Sequence, residues 1–201
     1  MKLKEKKTMP LPRVRLGPFH TYQIIRPETV HGEKRQLVMD CGFSFKKELS
    51  QFVGVRFAEG AIVASVKNGR GYSLKAIKRP AKNPNDLLYT YKAYVLGVID
   101  GDTLKVDFRL GFGDRKGETI RLAYINCPER DTPEGQAAKK FVESQLSDCD
   151  FVTVKSIKTR KEKWGRYLGD VFFRKRGSAG VPVYLNQLLL DQGHAVKIEL
   201  H

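Results

Sequence analysis

The chain has 201 residues and carries 37 Lys and Arg side chains against 22 Asp and Glu side chains, a formal net charge of +15 at pH 7. The three cysteines have no paired metal-ligand spacing, and no run approaches the roughly 18 apolar residues of a membrane span. A disulfide-stapled scaffold, a structural zinc site and a spanning helix are therefore excluded. The positive charge favours polyanions, nucleic acid above all, as partners.

The charge is concentrated in the first part of the chain. Residues 1–90 contain 18 basic and 7 acidic side chains, whereas residues 91–201 contain 19 and 15. Proline and polar residues at positions 78–85 predict a linker. We therefore expect a basic, β-rich module over residues 1–85 and a second domain over residues 91–201. The module is either a degenerate half-barrel repeat of the second domain or an unrelated small β structure.

Five β-rich runs in the second domain predict strands: residues 91–99, 103–110, 119–125, 151–157 and 167–173. Between the third and fourth runs, Asp131 or Thr132 can cap a helix that begins at Pro133. A second helix is predicted over residues 183–192, with Gly193 ending it. The expected fold is mainly β with helices, a five-stranded OB-type Greek-key barrel with two helices.

Short charged clusters supply the residue types that phosphodiester hydrolysis needs. Asp102 and Asn126 offer oxygen ligands for a hard cation. Glu129 is a candidate general base. Arg121 and Arg166 are candidates for holding the charged phosphate, because the planar guanidinium can donate two hydrogen bonds to one phosphate.

Aromatic residues flank the second of these arginines. Trp164 and Tyr167 lie on either side of Arg166 and suit stacking on a nucleobase, and Lys163 joins them as a nucleic-acid-binding candidate. The alternative for both aromatic rings is packing in the core or in a loop.

The order of four motifs resembles the staphylococcal (micrococcal) nuclease, or thermonuclease, family over about residues 91–199. The motifs are Val98-Ile99-Asp100-Gly101-Asp102-Thr103, the arginine and glutamate that bracket residues 121–129, Trp164-Gly165-Arg166, and residues 186–193. The resemblance implies that Asp102 binds calcium and that Asn126 and the Cys127 carbonyl stand at the other protein-ligand positions. It also implies that Glu129 is the general base and that Arg121 and Arg166 are the phosphate arginines.

The sequence departs from the family pattern at Asn126, where the family has a second aspartate. The change removes one negative charge but keeps an amide oxygen that can coordinate calcium. The string that begins at Asp131 resembles the family motif aspartate-x-proline-glutamate more closely than the string that begins at Asn126. We assign the site to the first string because Arg121 and Asn126 belong to one short strand and its end. Asp131 is then the alternative as a substitute ligand.

The function expected from these features is that of a calcium-dependent nuclease, an endonuclease or exonuclease. It would hydrolyse DNA and RNA with little sugar specificity, and the basic module would raise its affinity. The alternative is a catalytically weakened barrel that binds nucleic acid or protein. We expect a monomer with no membrane partner. A charged start without a following apolar segment predicts a cytoplasmic location, or a secreted or periplasmic one if a signal was removed.

Overall fold

The computed structural model describes residues 10–27, 36–52, 54–78, 83–161 and 166–200. Single turns of 3-10 helix cover Leu49–Gln51 and Pro84–Leu87. The strands and helices of the described residues are β1 (Thr21–Ile25), β2 (Val38–Asp40), β3 (Lys46–Glu48), β4 (Ile62–Asn68), β5 (Gly71–Ala76), β6 (Thr90–Asp100), β7 (Thr103–Gly111), β8 (Asp114–Leu122), β9 (Ile125–Asn126), α1 (Pro133–Leu146), β10 (Val152–Lys161), β11 (Tyr167–Phe173), β12 (Val183–Tyr184), α2 (Leu185–Asp191) and β13 (Val196–Lys197).

Residues 90–173 form a closed five-stranded barrel. Its strand order is β10-β6-β7-β8-β11, and pairing of β10 with β11 closes it. The β8–β11 pair is parallel and the others are antiparallel. Alternate residues of β7 point into the barrel: Leu104, Val106, Phe108 and Leu110 are at most 1% exposed. The prediction of an OB-type barrel with two helices is confirmed, although its third strand begins earlier, at Asp114.

The longer helix covers the barrel beside β6. Thr132 caps it, because its hydroxyl accepts a hydrogen bond from the Gly135 N–H at 3.0 Å, and Pro133 follows in the first turn. Ala138, Val142 and Leu146 are buried on one face of α1, at helical spacing. Neither α1 nor α2 has the length and apolar character that crossing a membrane requires.

The N-terminal residues form a second sheet with the strand order β3-β2-β1-β4-β5, and every neighbouring pair is antiparallel. Its own small core consists of Tyr22, Ile24, Met39, Cys41, Val63 and Leu74. The N-terminal part is therefore β-rich, as the sequence predicted.

This sheet packs directly against the barrel. Phe43, 2% exposed, lies in the barrel core with its ring 4.2 Å from the ring of Phe108 and 4.9 Å from that of Tyr167. The buried hydroxyl of Tyr91 donates a hydrogen bond to the Cys41 carbonyl at 3.1 Å. Removing the N-terminal sheet would therefore expose part of the core of the barrel.

Candidate active site

The turn between β6 and β7 places Asp102 against the rest of the barrel. A Cβ atom at Gly101 would lie 2.7 Å from the Ala138 Cβ and 2.9 Å from the Cys127 Sγ, closer than side-chain atoms pack. Glycine at this position therefore lets the turn contact α1 directly. The Asp102 side chain becomes 5% exposed as a result.

Asp102 is the centre of a hydrogen-bond network. Its Oδ2 forms an ion pair with the Arg121 Nη2 at 2.9 Å and accepts a hydrogen bond from the Cys127 N–H at 3.1 Å, and its Oδ1 accepts one from the Thr103 hydroxyl at 3.0 Å. The Thr103 hydroxyl in turn accepts a bond from the Arg166 Nη1 at 3.1 Å. Burial raises the pKa of Asp102, while the bond from Cys127 and the charge of Arg121 oppose the increase. Thr103, which the sequence did not indicate as a site residue, connects Arg166 to the carboxylate that Arg121 contacts directly.

The guanidinium of Arg121 lies between two of the predicted ligands. Its Nη2 donates a hydrogen bond to the Asn126 Oδ1 at 2.5 Å and forms an ion pair with the Asp102 Oδ2 at 2.9 Å. Calcium binds oxygen ligands at 2.3–2.6 Å. The positively charged nitrogen therefore occupies a position that two oxygen atoms face. Oxygen is the ligand type that a hard cation prefers, so a hard cation fits this position.

The resemblance assigns Cys127 to such a site through its backbone carbonyl. Burial raises the pKa of its thiol to about 12, so the thiol is protonated at neutral pH. The three predicted ligands therefore comprise one carboxylate, one amide and one carbonyl. Among the residues that the structure describes, no three His, Cys, Asp or Glu side chains form a metal-binding group.

The first turn of α1 fixes the backbone of Glu129. The Glu129 carbonyl accepts hydrogen bonds from the Thr132 N–H at 3.0 Å and from the Thr132 hydroxyl at 2.7 Å. A Cβ at Gly135 would lie 2.0 Å from the same carbonyl oxygen, so this close approach requires glycine. The Glu129 side chain itself is exposed to solvent, where a substrate can reach it.

The side chain of Asn186 forms hydrogen bonds with β11 and with the residue after β8, next to the two arginines. Its side chain, 0% exposed, accepts a bond from the Val171 N–H at 3.0 Å and donates bonds to the carbonyls of Ala123 at 3.0 Å and Gly169 at 3.2 Å. These bonds link α2 to β11 and to the residue after β8. Sequence analysis did not find this role, although Asn186 begins the last of the four motifs.

A comparison with known protein families agrees with this geometry. The family model described as staphylococcal nuclease homologue matches residues 119–201, a range that includes Arg121, Asn126, Glu129 and Arg166. Residues 119–201 are similar to the staphylococcal nuclease homologue family. The match confirms the resemblance, and Asp102 lies before the matched range but within the same barrel. No curated protein matches the chain.

The structure corrects one of the predicted site residues. Tyr167 is 2% exposed and its ring meets that of Phe43 edge-on, so the prediction that Tyr167 stacks on a nucleobase is wrong. The first residue of β11 faces the core because its neighbour Arg166 takes the other side of the chain. Lys163 and Trp164 lie outside the described residues.

Asp131 does not join the network. Its side chain is 91% exposed and lies 3.6 Å from the Arg130 Nε. The assignment of the ligand position to Asn126 rather than Asp131 stays a prediction, supported by the hydrogen bond from Arg121 to Asn126.

Proposed function

We propose that the barrel domain hydrolyses phosphodiester bonds in DNA and RNA, with little sugar specificity and with calcium as its cofactor. The observation that carries the proposal is the network that joins Arg121 and Arg166 through Asp102 and Thr103. Two guanidinium groups joined through one acidic side chain are an arrangement suited to a phosphate group.

The calcium ligands in this proposal are the Asp102 carboxylate, the Asn126 amide oxygen and the Cys127 carbonyl. When bound, calcium neutralises charge on a phosphate oxygen and orients water. The convergence of the Asp102 and Asn126 oxygens on one Arg121 nitrogen supports this assignment.

The chain's own side chains have separate parts in the proposed reaction. Glu129 accepts a proton from the attacking water, and its fixed backbone limits the positions that its carboxylate can take. Arg121 and Arg166 donate hydrogen bonds to the phosphate as negative charge develops on its oxygens. The planar guanidinium allows each to donate two bonds at once.

Replacing Asn126 by aspartate tests the cofactor assignment. Asn126→Asp adds a carboxylate where the family has one, so we expect calcium to bind more tightly and cleavage of single-stranded DNA to begin at a lower calcium concentration. Calorimetric calcium titration beside a cleavage assay measures both, and a chelator should abolish cleavage by either protein. Cleavage that persists in chelator would contradict calcium dependence.

The N-terminal sheet has a supporting part in the proposal, which is to raise affinity for nucleic acid. Lys67, Arg70 and Lys75 are exposed on β4, on β5 and in the hairpin that joins them. Replacing all three by alanine is expected to lower the slope of log affinity against log salt by about 2 for single strands, since fewer counterions are released. An unchanged slope, in a variant with the wild-type melting temperature, would contradict this role.

A second candidate function is binding of nucleic acid or protein without catalysis. The observation in its favour is that the predicted ligand set has a single carboxylate, and that Arg121 pairs with it. The same assay separates the two functions. Absence of both calcium binding and cleavage in the wild type and in Asn126→Asp would favour the binding protein.

A further inference from the structure

A cavity of about 340 Å³ opens on the outside of the barrel, beside the end of β11. Its lining includes Phe19, Phe151, Thr153, Phe172, Arg174 and Arg176. Arg166 precedes the first residue of β11, whereas Phe172 and Arg174 lie at and just beyond its other end. Arg166 and Arg174 are eight residues apart along the strand, which at about 3.3 Å per residue separates them by roughly 26 Å. The cavity is therefore distinct from the candidate active site.

Aromatic rings form part of the wall. Phe19 is 38% exposed, and its ring meets that of Phe151 edge-on at 6.5 Å. The ring of Phe172 is stacked on that of Tyr184, with 4.6 Å between the centroids. Exposed aromatic faces of this kind are the surfaces on which unpaired bases stack, whatever their sequence.

Positive charge surrounds the rings. Three consecutive cations, Arg174, Lys175 and Arg176, line the cavity, with Asp150 as the acidic side chain among the lining residues. Asp150 pairs with the Arg176 Nε at 2.9 Å. The Lys175 Nζ donates to the Ser144 carbonyl at 3.0 Å. The side chain of Arg174 is exposed, so its charge can reach a ligand phosphate.

The strand register adds a further cation to the same face. Lys92 on β6 lies opposite Thr153 on β10, and Thr153 lies opposite Phe172 on β11. The Lys92 Nζ lies 4.3 Å from the centroid of the Phe151 ring. Lys92 and Phe172 therefore lie on the two strands that flank β10, on the same face as the cavity, and surfaces that bind single-stranded nucleic acid combine cations with aromatic rings in this way.

We propose that this cavity binds one nucleotide of a single-stranded nucleic acid at a distance from the active site. The base packs against Phe19, and Arg174 contacts the adjoining phosphate. The strand is single because its bases must be unpaired for their faces to meet a protein ring. The inference rests on the proposed function to the extent that both name nucleic acid as the ligand.

Because the two sites are far apart, the proposal predicts that affinity depends on the length of the oligonucleotide. Stacked nucleotides advance about 3.4 Å each along a strand, so roughly eight of them span the distance between Arg166 and Arg174. A 12-nucleotide oligothymidylate can therefore contact both sites at once, whereas a 4-nucleotide one cannot. Loss of the cavity site should weaken binding of the 12-mer and so reduce the ratio of its affinity to that of the 4-mer.

Fluorescence anisotropy with labelled 12- and 4-nucleotide oligothymidylates tests the proposal, with chelator present to prevent cleavage. We expect Phe19→Ala to weaken binding of the 12-mer at least about fivefold, and Phe19→Tyr to retain it. Arg174→Ala should weaken binding and lower the salt slope by about 0.7. Lys140→Ala removes one exposed cation from α1 and serves as the control, with affinity for the 12-mer expected to stay within about twofold.

Wild-type affinity and salt slope in both Phe19→Ala and Arg174→Ala would overturn the proposal, as would an equal loss in Lys140→Ala. Cleavage in calcium, measured separately on the same proteins, keeps the two proposals apart. Cleavage with unchanged binding by the cavity variants leaves the proposed function standing and removes the second site. Melting temperatures of the variants show whether each is folded.

Discussion

Glu129→Gln is expected to lower the rate of DNA cleavage by about 100-fold or more and to change affinity for DNA little. Glutamine keeps the shape of the side chain but cannot accept the proton of the attacking water. The Thr132 bonds to the Glu129 carbonyl involve only the backbone, so the substitution leaves the turn in place. Single-turnover cleavage in calcium measures the chemical step, and anisotropy in chelator measures the affinity.

Glu134→Gln is the matched control for this experiment. Glu134 lies in the first turn of α1, is exposed like Glu129, and has no role in the proposed reaction. Its replacement by glutamine removes the same charge as Glu129→Gln. Its cleavage rate should remain close to that of the wild type. Equal rates in Glu129→Gln and the wild type would overturn Glu129 as the general base, and equal losses in both variants would indicate a general effect of charge.

Phe43→Ala is expected to lower the free energy of unfolding by about 3–5 kcal/mol. Phe43 comes from the N-terminal sheet, yet its ring packs against Tyr91, Phe108 and Tyr167 of the barrel. The truncation leaves a cavity between the two sheets, and neither sheet can fill it without moving. Urea denaturation followed by circular dichroism measures the loss, with Phe19→Ala as a partly exposed control.

The same urea unfolding curve also shows whether the two sheets unfold together. Because the two sheets share buried side chains, we expect one cooperative transition in the wild type. A loss below about 1 kcal/mol in Phe43→Ala, or a separate early transition of the N-terminal sheet, would show that the barrel is stable without it.

The barrel was predictable from the sequence because its signals are local. Strand runs, a Thr132 cap followed by Pro133, and the Asp-Gly turn at Asp100 each depend on a few neighbouring residues. The prediction that Arg121 and Asn126 belong to one strand was wrong, because a turn separates β8, which carries Arg121, from β9, which carries Asn126.

Other features depend on contacts that are distant in sequence, and these the sequence did not reveal. The rings that Phe43 contacts in the barrel core lie far along the chain, and the nearest of them, Tyr91, is 48 residues away. The three bonds of Asn186 join α2 to residues 15 to 63 positions earlier. Tyr167 was wrongly assigned because an aromatic residue next to an arginine looks the same in sequence whether it faces the core or the solvent.

The position of the Arg121 Nη2 between the Asp102 and Asn126 oxygens makes two binding events interdependent. A metal ion and this nitrogen cannot occupy one position, so calcium at those oxygens requires the guanidinium to leave them. A phosphate that pairs with Arg121 draws the guanidinium away and so favours calcium. By thermodynamic linkage, calcium then raises affinity for phosphate by the same factor. If calcium and phosphate bind as proposed, Arg121 therefore couples them, and each ligand would bind better to the protein that already holds the other.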